Sequence, residues 1–179
     1  MSDTFKLGDK GEAVIKYGLK RVYADPRTVP KDINTQLKYG DFVCPGFGEI
    51  GIQHLKIEVK TEQKYTGNLF FETMSNVDTG RDGWIATSTA DELYYLFWDV
   101  ARGYRIPLFQ DVKWQFDYCK NRFKEVDQKK HQQENLTRGR LVPIEWLMSL
   151  YVGAVEFDFQ KIKENVDKDI KNGDLICRH

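Results

Sequence analysis

The chain has 179 residues, of which 41% are hydrophobic and 13% aromatic, so one domain with a sizeable core is expected. Its 27 basic and 27 acidic side chains give a formal net charge of zero, which excludes a protein that coats nucleic acid by bulk electrostatics alone. Its 3 widely spaced cysteines, without a C-x-x-C pair, support neither a disulfide framework nor a zinc site and predict a cytoplasmic protein.

The first half of the chain predicts a helix followed by three strands. Residues 10–23 form a helix with one apolar arc, and Glu12 lies at the edge of that arc. Turn signals separate the strands, which favours an antiparallel meander. The predicted strands are residues 34–46, 51–63 and 68–75.

The second half predicts short strands and helices in alternation. A capping box at Thr89-Ala-Asp-Glu92 favours a helix after a short apolar strand, and Gly173 is a C-cap signal near the end of the chain. The predicted segments are 83–88 (strand), 91–98 (helix), 103–109 (edge strand), 110–132 (helix), 140–151 (strand and helical turn) and 155–174 (amphipathic helix). This order predicts a mixed α/β fold in which helices flank a mixed sheet.

The strand at 51–63 carries the first candidate site, because period two puts Glu58, Lys60, Glu62 and Lys64 on one face. One interpretation is a half-buried strand with a solvated, charged face. The other is a Glu-x-Lys pair that holds a metal ion and a phosphate. The sequence contains two such pairs, and Glu58 with Lys60 is preferred because this pair lies mid-strand, whereas the second pair approaches the following turn.

Two distant acidic residues favour the second interpretation. Asp41 comes opposite Glu58 if their strands pair antiparallel, and a helix packed over that end brings Glu12 near both. Carboxylates in one pocket repel each other unless a cation joins them. Oxygen ligands without His or Cys pairs favour Mg²⁺, with Mn²⁺ as a substitute. The Lys60 ammonium is expected to point into the same pocket. There it would neutralise an oxygen of a bound phosphate and orient the water that attacks the phosphodiester bond. A role of Lys60 as general base stays open.

With these residues in this order, the segments GEAVIKYGLK, GDFVC and IEVKTE resemble the PD-(D/E)xK nuclease superfamily, which includes restriction endonucleases and Holliday-junction resolvases. The segments GNLFFETMSN and GWIATSTADELYYLF are similar to those of phage and mobile-element members. The resemblance implies a restriction-endonuclease-like αβββαβ core within residues 1–153, and a C-terminal helical extension, residues 154–179, packed on the same domain. The motif Gly40-Asp41 departs from the Pro-Asp of the superfamily.

The resemblance also implies a ligand set and partners. Asp41, Glu58 and the Val59 carbonyl would bind Mg²⁺, Lys60 would be the catalytic lysine, and Glu12 would be an accessory ligand or a group behind the ligands. The implied partners are DNA and a second copy of the chain, since cutting two strands takes two sites. A membrane partner is not expected, because no apolar run approaches the roughly 18 residues that a membrane span needs.

These observations lead to three candidate functions. The first is a Mg²⁺-dependent nuclease that hydrolyses DNA phosphodiester bonds, either in branched DNA or in the manner of a restriction enzyme. The alternative is a non-catalytic nucleic-acid-binding or regulatory domain on the same fold. The third is an unrelated α+β protein with a charged strand face.

Residues outside the motif give weaker signals. Glu72 is expected to be an exposed strand residue rather than part of the site. The hydroxyls of Thr87, Ser88 and Thr89 are either phosphate contacts or, at Thr89, a helix cap. Trp84 is expected in the core.

Overall fold

The structure of the chain is a computed structural model. It describes residues 7–21, 26–28, 40–48, 51–107, 109–129, 135–150 and 153–173. Parts of six predicted elements, residues 22–23, 34–39, 108, 130–132, 151 and 174, lie outside the described residues. The helices are α1 (Leu7–Leu19), α2 (Trp84–Thr87), α3 (Phe109–Cys119), α4 (Ile144–Leu150) and α5 (Gln160–Asn172), with a 3₁₀ turn at Lys120–Arg122. The strands are β1 (Arg27–Thr28), β2 (Phe42–Gly48), β3 (Gly51–Glu62), β4 (Asn68–Asn76), β5 (Arg81–Asp82), β6 (Glu92–Phe97), β7 (Arg102–Ile106), β8 (Lys124–Lys129), β9 (Leu136–Pro143) and β10 (Val155–Asp158).

The first sheet has six strands in the order β1-β2-β3-β6-β7-β10. Its neighbours run antiparallel except β3 and β6, which are parallel. A parallel pair requires a crossover, and the crossover between β3 and β6 contains β4, β5 and α2. The predicted mixed sheet and the antiparallel pairing of β2 with β3 are both confirmed.

Strand β4 lies in a second sheet rather than beside β3. This sheet has the order β5-β4-β9-β8, and all its pairs are antiparallel. The predicted meander is therefore wrong in its third strand. The reason is that β2 and β6 occupy both edges of β3, so no edge of β3 is left for β4.

The two faces of the first sheet bury separate cores. Ile57 and Val59 of β3 face one core, which also contains residues of α1 and α5. The opposite face packs against the second sheet and its helices, and the core there includes Tyr95 and Phe71. Glu58 points to this second side and is only 9% exposed, so a fully solvated charged face is the wrong interpretation.

The segment 83–98 reverses the predicted order of strand and helix. Trp84–Thr87 is a single helical turn, and Glu92–Phe97 is a strand rather than a helix. This strand runs between β3 and β7 with both faces covered. Periodicity does not separate a short buried strand from a short buried helix, and the Tyr and Phe residues of the segment favour the strand.

Two further segments differ from their predicted form. The helix expected at 110–132 ends at Cys119, and the chain returns as β8, which pairs with β9. Cross-strand ion pairs join Arg138 to Asp127 and Arg140 to Glu125. These pairs use alternate residues of β9 and are the sheet counterpart of helix surface pairs.

The C-terminal segment contributes a strand before its helix. Strand β10 pairs with the outer side of β7, so the predicted edge strand is confirmed as a strand but is not an edge. The last helix begins at Gln160 instead of 155, and its C-cap at Gly173, with φ of 77°, is confirmed. The strand and helical turn predicted at 140–151 are confirmed as β9 and α4. No helix within the described ranges is long and apolar enough to cross a membrane.

Candidate active site

Asp41 and Glu58 lie side by side where β2 meets β3. The register pairs Phe42 with Ile57, and the Asp41 N–H donates to the Ile57 carbonyl at 2.8 Å, so Asp41 stands opposite Glu58. The Val59 N–H donates to Asp41 Oδ2 at 2.7 Å. The expected position of Asp41 opposite Glu58 is therefore confirmed, and the Glu58 charge acts on the Asp41 carboxyl.

Gly40 makes this approach sterically possible. Its φ is 72°, a value that proline cannot adopt, and a Cβ at this position would lie 2.6 Å from the Ile57 carbonyl oxygen. The local backbone of this chain therefore accepts glycine at position 40 and excludes proline.

The Val59 carbonyl points to the same sheet edge as Asp41. In a strand, the N–H and C=O of one residue point to the same side, and the Val59 N–H is directed at Asp41. The register with β2 ends at Ile57, so Val59 lies on the stretch of the β3 edge beyond β2. Two carboxylates and one main-chain carbonyl thus share one edge.

Helix α1 brings Glu12 to this edge from the other face of the sheet. A Cβ at Gly11 would lie 1.8 Å from Thr61 Oγ1, so glycine permits the close contact between α1 and β3 beyond the end of β2. Glu12 follows directly, and its negative charge raises the pKa of Asp41. The predicted proximity of Glu12 to Asp41 is confirmed in this electrostatic sense.

The crowding of acids changes the protonation of Asp41. Burial is the largest cause, and the Glu58 charge is the next, of a rise in its pKa from 3.8 to about 7. Lys60 and the Val59 N–H act in the opposite direction but do not cancel the rise. A carboxyl group with a pKa near 7 loses its proton readily at neutral pH when a cation binds beside it.

Lys60 lies between the sheets and pairs with Glu58. Its ammonium forms an ion pair with Glu58 Oε1 and sits 5.3 Å from the centre of the Trp84 ring. Burial lowers the pKa of Lys60, but the Glu58 and Asp41 carboxylates outweigh burial, so the net pKa is raised. The side chain is therefore a cation at neutral pH.

The second Glu-x-Lys pair has a different role. Glu62 accepts a hydrogen bond from the Tyr95 hydroxyl, which in turn accepts one from the Phe70 N–H at 2.9 Å. Lys64 lies past the end of β3 and is exposed. Glu62 thus links the two sheets through Tyr95, whereas Lys64 lies at the surface.

Elements after β3 bring further residues to the Glu58–Lys60 pair, of which sequence reasoning missed Lys113 and did not predict the contacts of Glu72 and Ser88. Glu72 is only 5% exposed and raises the pKa of Lys60, so its predicted exposure is wrong. The Ser88 hydroxyl donates to Glu58 Oε2 at 3.4 Å, and Lys113 of α3 donates to the Ser88 carbonyl. Their only sequence signal was a hydroxyl in a turn and a lysine between buried helix positions, which many structural residues share.

The carboxylate and carbonyl oxygens at this edge suit a hard divalent cation as ligands. Mg²⁺ binds oxygen, tends to use one or two carboxylates, and keeps several waters. Among the described residues, no group of three or more His, Cys, Asp or Glu side chains is arranged to hold a metal ion. The expected set of Asp41, Glu58 and the Val59 carbonyl contains two such side chains. The Glu58 charge contributes to the raised pKa of Asp41, and a cation bound between the two carboxylates would relieve this repulsion.

Comparisons of the chain with protein-family models, with curated proteins and with solved structures found no match.

Proposed function

We propose that this protein is a Mg²⁺-dependent endonuclease of the PD-(D/E)xK type, which hydrolyses DNA phosphodiester bonds. One observation carries the proposal. Asp41 and Glu58 meet across the β2–β3 register, with the Val59 main chain bonded to Asp41 and Lys60 paired with Glu58. The order of the elements, with Glu12 on a helix, Asp41 before one strand and Glu58 and Lys60 on the next, supports the proposal.

Each residue has a separate task in this mechanism. Asp41, Glu58 and the Val59 carbonyl would hold Mg²⁺. Glu12 would be either an accessory ligand or a group that acts on Asp41 without contacting the ion. When bound, the ion supplies charge neutralisation at the phosphate and a more acidic water. Lys60 holds a fixed positive charge beside Glu58, where it stabilises charge that develops on a phosphate oxygen. The raised pKa of Lys60 favours this electrostatic role over a general-base role.

The substrate and assembly follow from the same resemblance. DNA is the proposed substrate, and a homodimer would place two sites on two strands. The restriction-endonuclease-like topology is likewise part of the proposal. The parallel pair β3–β6 next to the antiparallel pair β2–β3 supports it.

The test is cleavage of labelled linear, flapped and four-way-junction DNAs by wild type, Lys60→Ala and Lys64→Ala, with Mg²⁺ or EDTA. Lys64 is the matched control, since it belongs to the second Glu-x-Lys pair and is exposed. We expect Mg²⁺-dependent cleavage by wild type and Lys64→Ala, and a loss of about a hundredfold or more in Lys60→Ala. Cleavage that persists in EDTA, or equal activity of both lysine variants, would reject the mechanism.

A non-catalytic DNA-binding domain is the second candidate. The absence of a three-side-chain metal cluster within the described residues favours it. It predicts DNA binding that neither Mg²⁺ nor Asp41→Asn changes, with no cleavage of any substrate. An electrophoretic mobility shift with the same DNAs separates the two candidates.

A further inference from the structure

Helix α3 holds the connector that leads from α2 to β6. Gln110 Nε2 donates to the Ala90 carbonyl at 2.6 Å. Lys113 Nζ donates to the carbonyls of Ser88 and of Ala86, the latter at 3.3 Å. These bonds fix the main chain of the connector on both sides of the Ser88 side chain.

The Ser88 hydroxyl is directed at the candidate site. It accepts the Ala90 N–H at 3.3 Å and donates to Glu58 Oε2 at 3.4 Å. Lys60 occupies the other oxygen, Oε1, so Glu58 has one partner on each oxygen. Ser88 is 5% exposed, so no bulk water competes freely for this bond.

Lys113 also lies within electrostatic range of Glu58. Burial lowers the pKa of Lys113, while the Asp117 and Glu58 carboxylates raise it in part. Lys113 and Glu58 therefore attract each other directly, in addition to their link through Ser88.

We propose that Lys113 is a positioning residue of this site, which holds the segment 86–88 so that the Ser88 hydroxyl orients Glu58. This proposal rests on the proposed metal site at Asp41 and Glu58. Partners that hold a metal-binding carboxylate in place commonly change metal affinity by about 10–100-fold when they are removed. Lys113 acts one step further away, through Ser88.

The experiment measures the apparent Mn²⁺ affinity of the full chain by calorimetric titration. The variants are Lys113→Met, Lys113→Arg, Ser88→Ala and the double variant Lys113→Met with Ser88→Ala. Lys120→Met is the matched control, since this lysine follows α3 and pairs with the exposed Asp117 at 3.2 Å. Circular dichroism and urea unfolding establish that each variant is folded.

We expect Lys113→Met and Ser88→Ala each to weaken Mn²⁺ binding about tenfold. Lys113→Arg should recover most of the affinity, because a guanidinium also donates to two carbonyls. The Mn²⁺ affinity of the double variant should equal that of the single variant with the lower affinity, because both changes disrupt the same hydrogen bond from Ser88 to Glu58. Lys120→Met should bind like wild type.

Three results would overturn the proposal. Wild-type affinity in Lys113→Met would show that the lysine does not act on the site. Wild-type affinity in Ser88→Ala would show that the Ser88 hydroxyl does not orient Glu58. This result would overturn the proposal even if Lys113→Met failed to fold. Additive losses in the double variant would show that Lys113 does not act through Ser88. If wild type itself binds no Mn²⁺, the proposed metal site fails as well, which distinguishes that outcome from the other three.

Discussion

At the scale of single residues, the fold holds Asp41 beside Glu58, although their negative charges repel each other when no cation is bound. Its main-chain and side-chain hydrogen bonds to β3 fix it beside Glu58, and burial with that charge raises its pKa to about 7. The folded chain thus keeps a proton on Asp41 at pH values where the unfolded chain has lost it. Stability and metal binding are therefore linked at this residue.

The first prediction concerns pH. The folded pKa of Asp41 lies above its ordinary 3.8, so the stability contributed by this group is complete below about 3.8 and is lost as pH rises through about 7. In EDTA, the free energy of unfolding of wild type should fall between pH 5 and 8 by roughly 3 kcal/mol more than that of Asp41→Asn, which thermal unfolding at each pH measures. Mg²⁺ should remove the difference at pH 8. Parallel pH profiles of the two proteins in EDTA would contradict this expectation.

The second prediction concerns Gly40. Gly40→Ala should lower the free energy of unfolding by about 1–3 kcal/mol, because the alanine meets both a left-handed φ and the Ile57 carbonyl. Gly80→Ala is the control, with φ of 65° but no atom within 4 Å of the added Cβ. It should lose only the cost of the backbone conformation, about 1 kcal/mol. Urea unfolding measures both, and equal losses would mean that the close approach to Ile57 carries no energy.

At the scale of elements, the site depends on how α1 approaches β3. The contact of Gly11 with Thr61 brings the helix against the strand beyond the end of β2, and Glu12 is carried to the edge with it. The position of an acidic group in the site is thus set by a residue that has no side chain.

The third prediction tests this contact on one helix. Gly11→Ala should destabilise the protein and weaken Mn²⁺ binding, since α1 must move away from Thr61 Oγ1. Gly18→Ala, where nothing lies within 4 Å of the added Cβ, should leave Mn²⁺ binding unchanged and stabilise the helix by up to about 1 kcal/mol. Thermal unfolding and Mn²⁺ titration give both quantities. A gain of stability in both variants would refute the tight contact.

At the scale of the whole molecule, buried polar links join the two sheets. Tyr95 of the first sheet accepts the Phe70 N–H of the second, and its hydroxyl donates to Glu62. Burial is the main cause of the raised pKa of both Glu62 and Tyr95. Polar side chains, among them Glu58 and Lys60, thus lie on the face of the first sheet that packs against the second sheet.

The fourth prediction measures this link. Tyr95→Phe removes the hydroxyl that both the Phe70 N–H and the Glu62 carboxylate contact, and should cost about 1–3 kcal/mol of unfolding free energy. Tyr118→Phe is the control, because Tyr118 is 82% exposed. Chemical denaturation compares the two, and the loss in Tyr95→Phe should grow at higher pH if Glu62 ionises. A neutral effect of Tyr95→Phe would show that water replaces the hydroxyl.

The sequence alone determined the part of the site that is local in nature. Alternation along β3 placed Glu58 and Lys60 on one face, and the antiparallel pairing of β2 with β3 brought Asp41 opposite Glu58. The apolar arc of α1 likewise predicted a buried helix with Glu12 at its edge. Such features depend on residue spacing within one element or between neighbours, which the period of a strand or helix fixes.

Only the tertiary structure decided which layer each later element joins. The sheet of β4 depends on which strands occupy the edges of β3, and the strand form of β6 depends on cover from both sides. Ser88 and Lys113 reach Glu58, and Glu72 reaches Lys60, only through those elements, so the sequence did not show which of these residues belong to the site. The physical reason is that an apolar run fixes burial but not the partner that buries it.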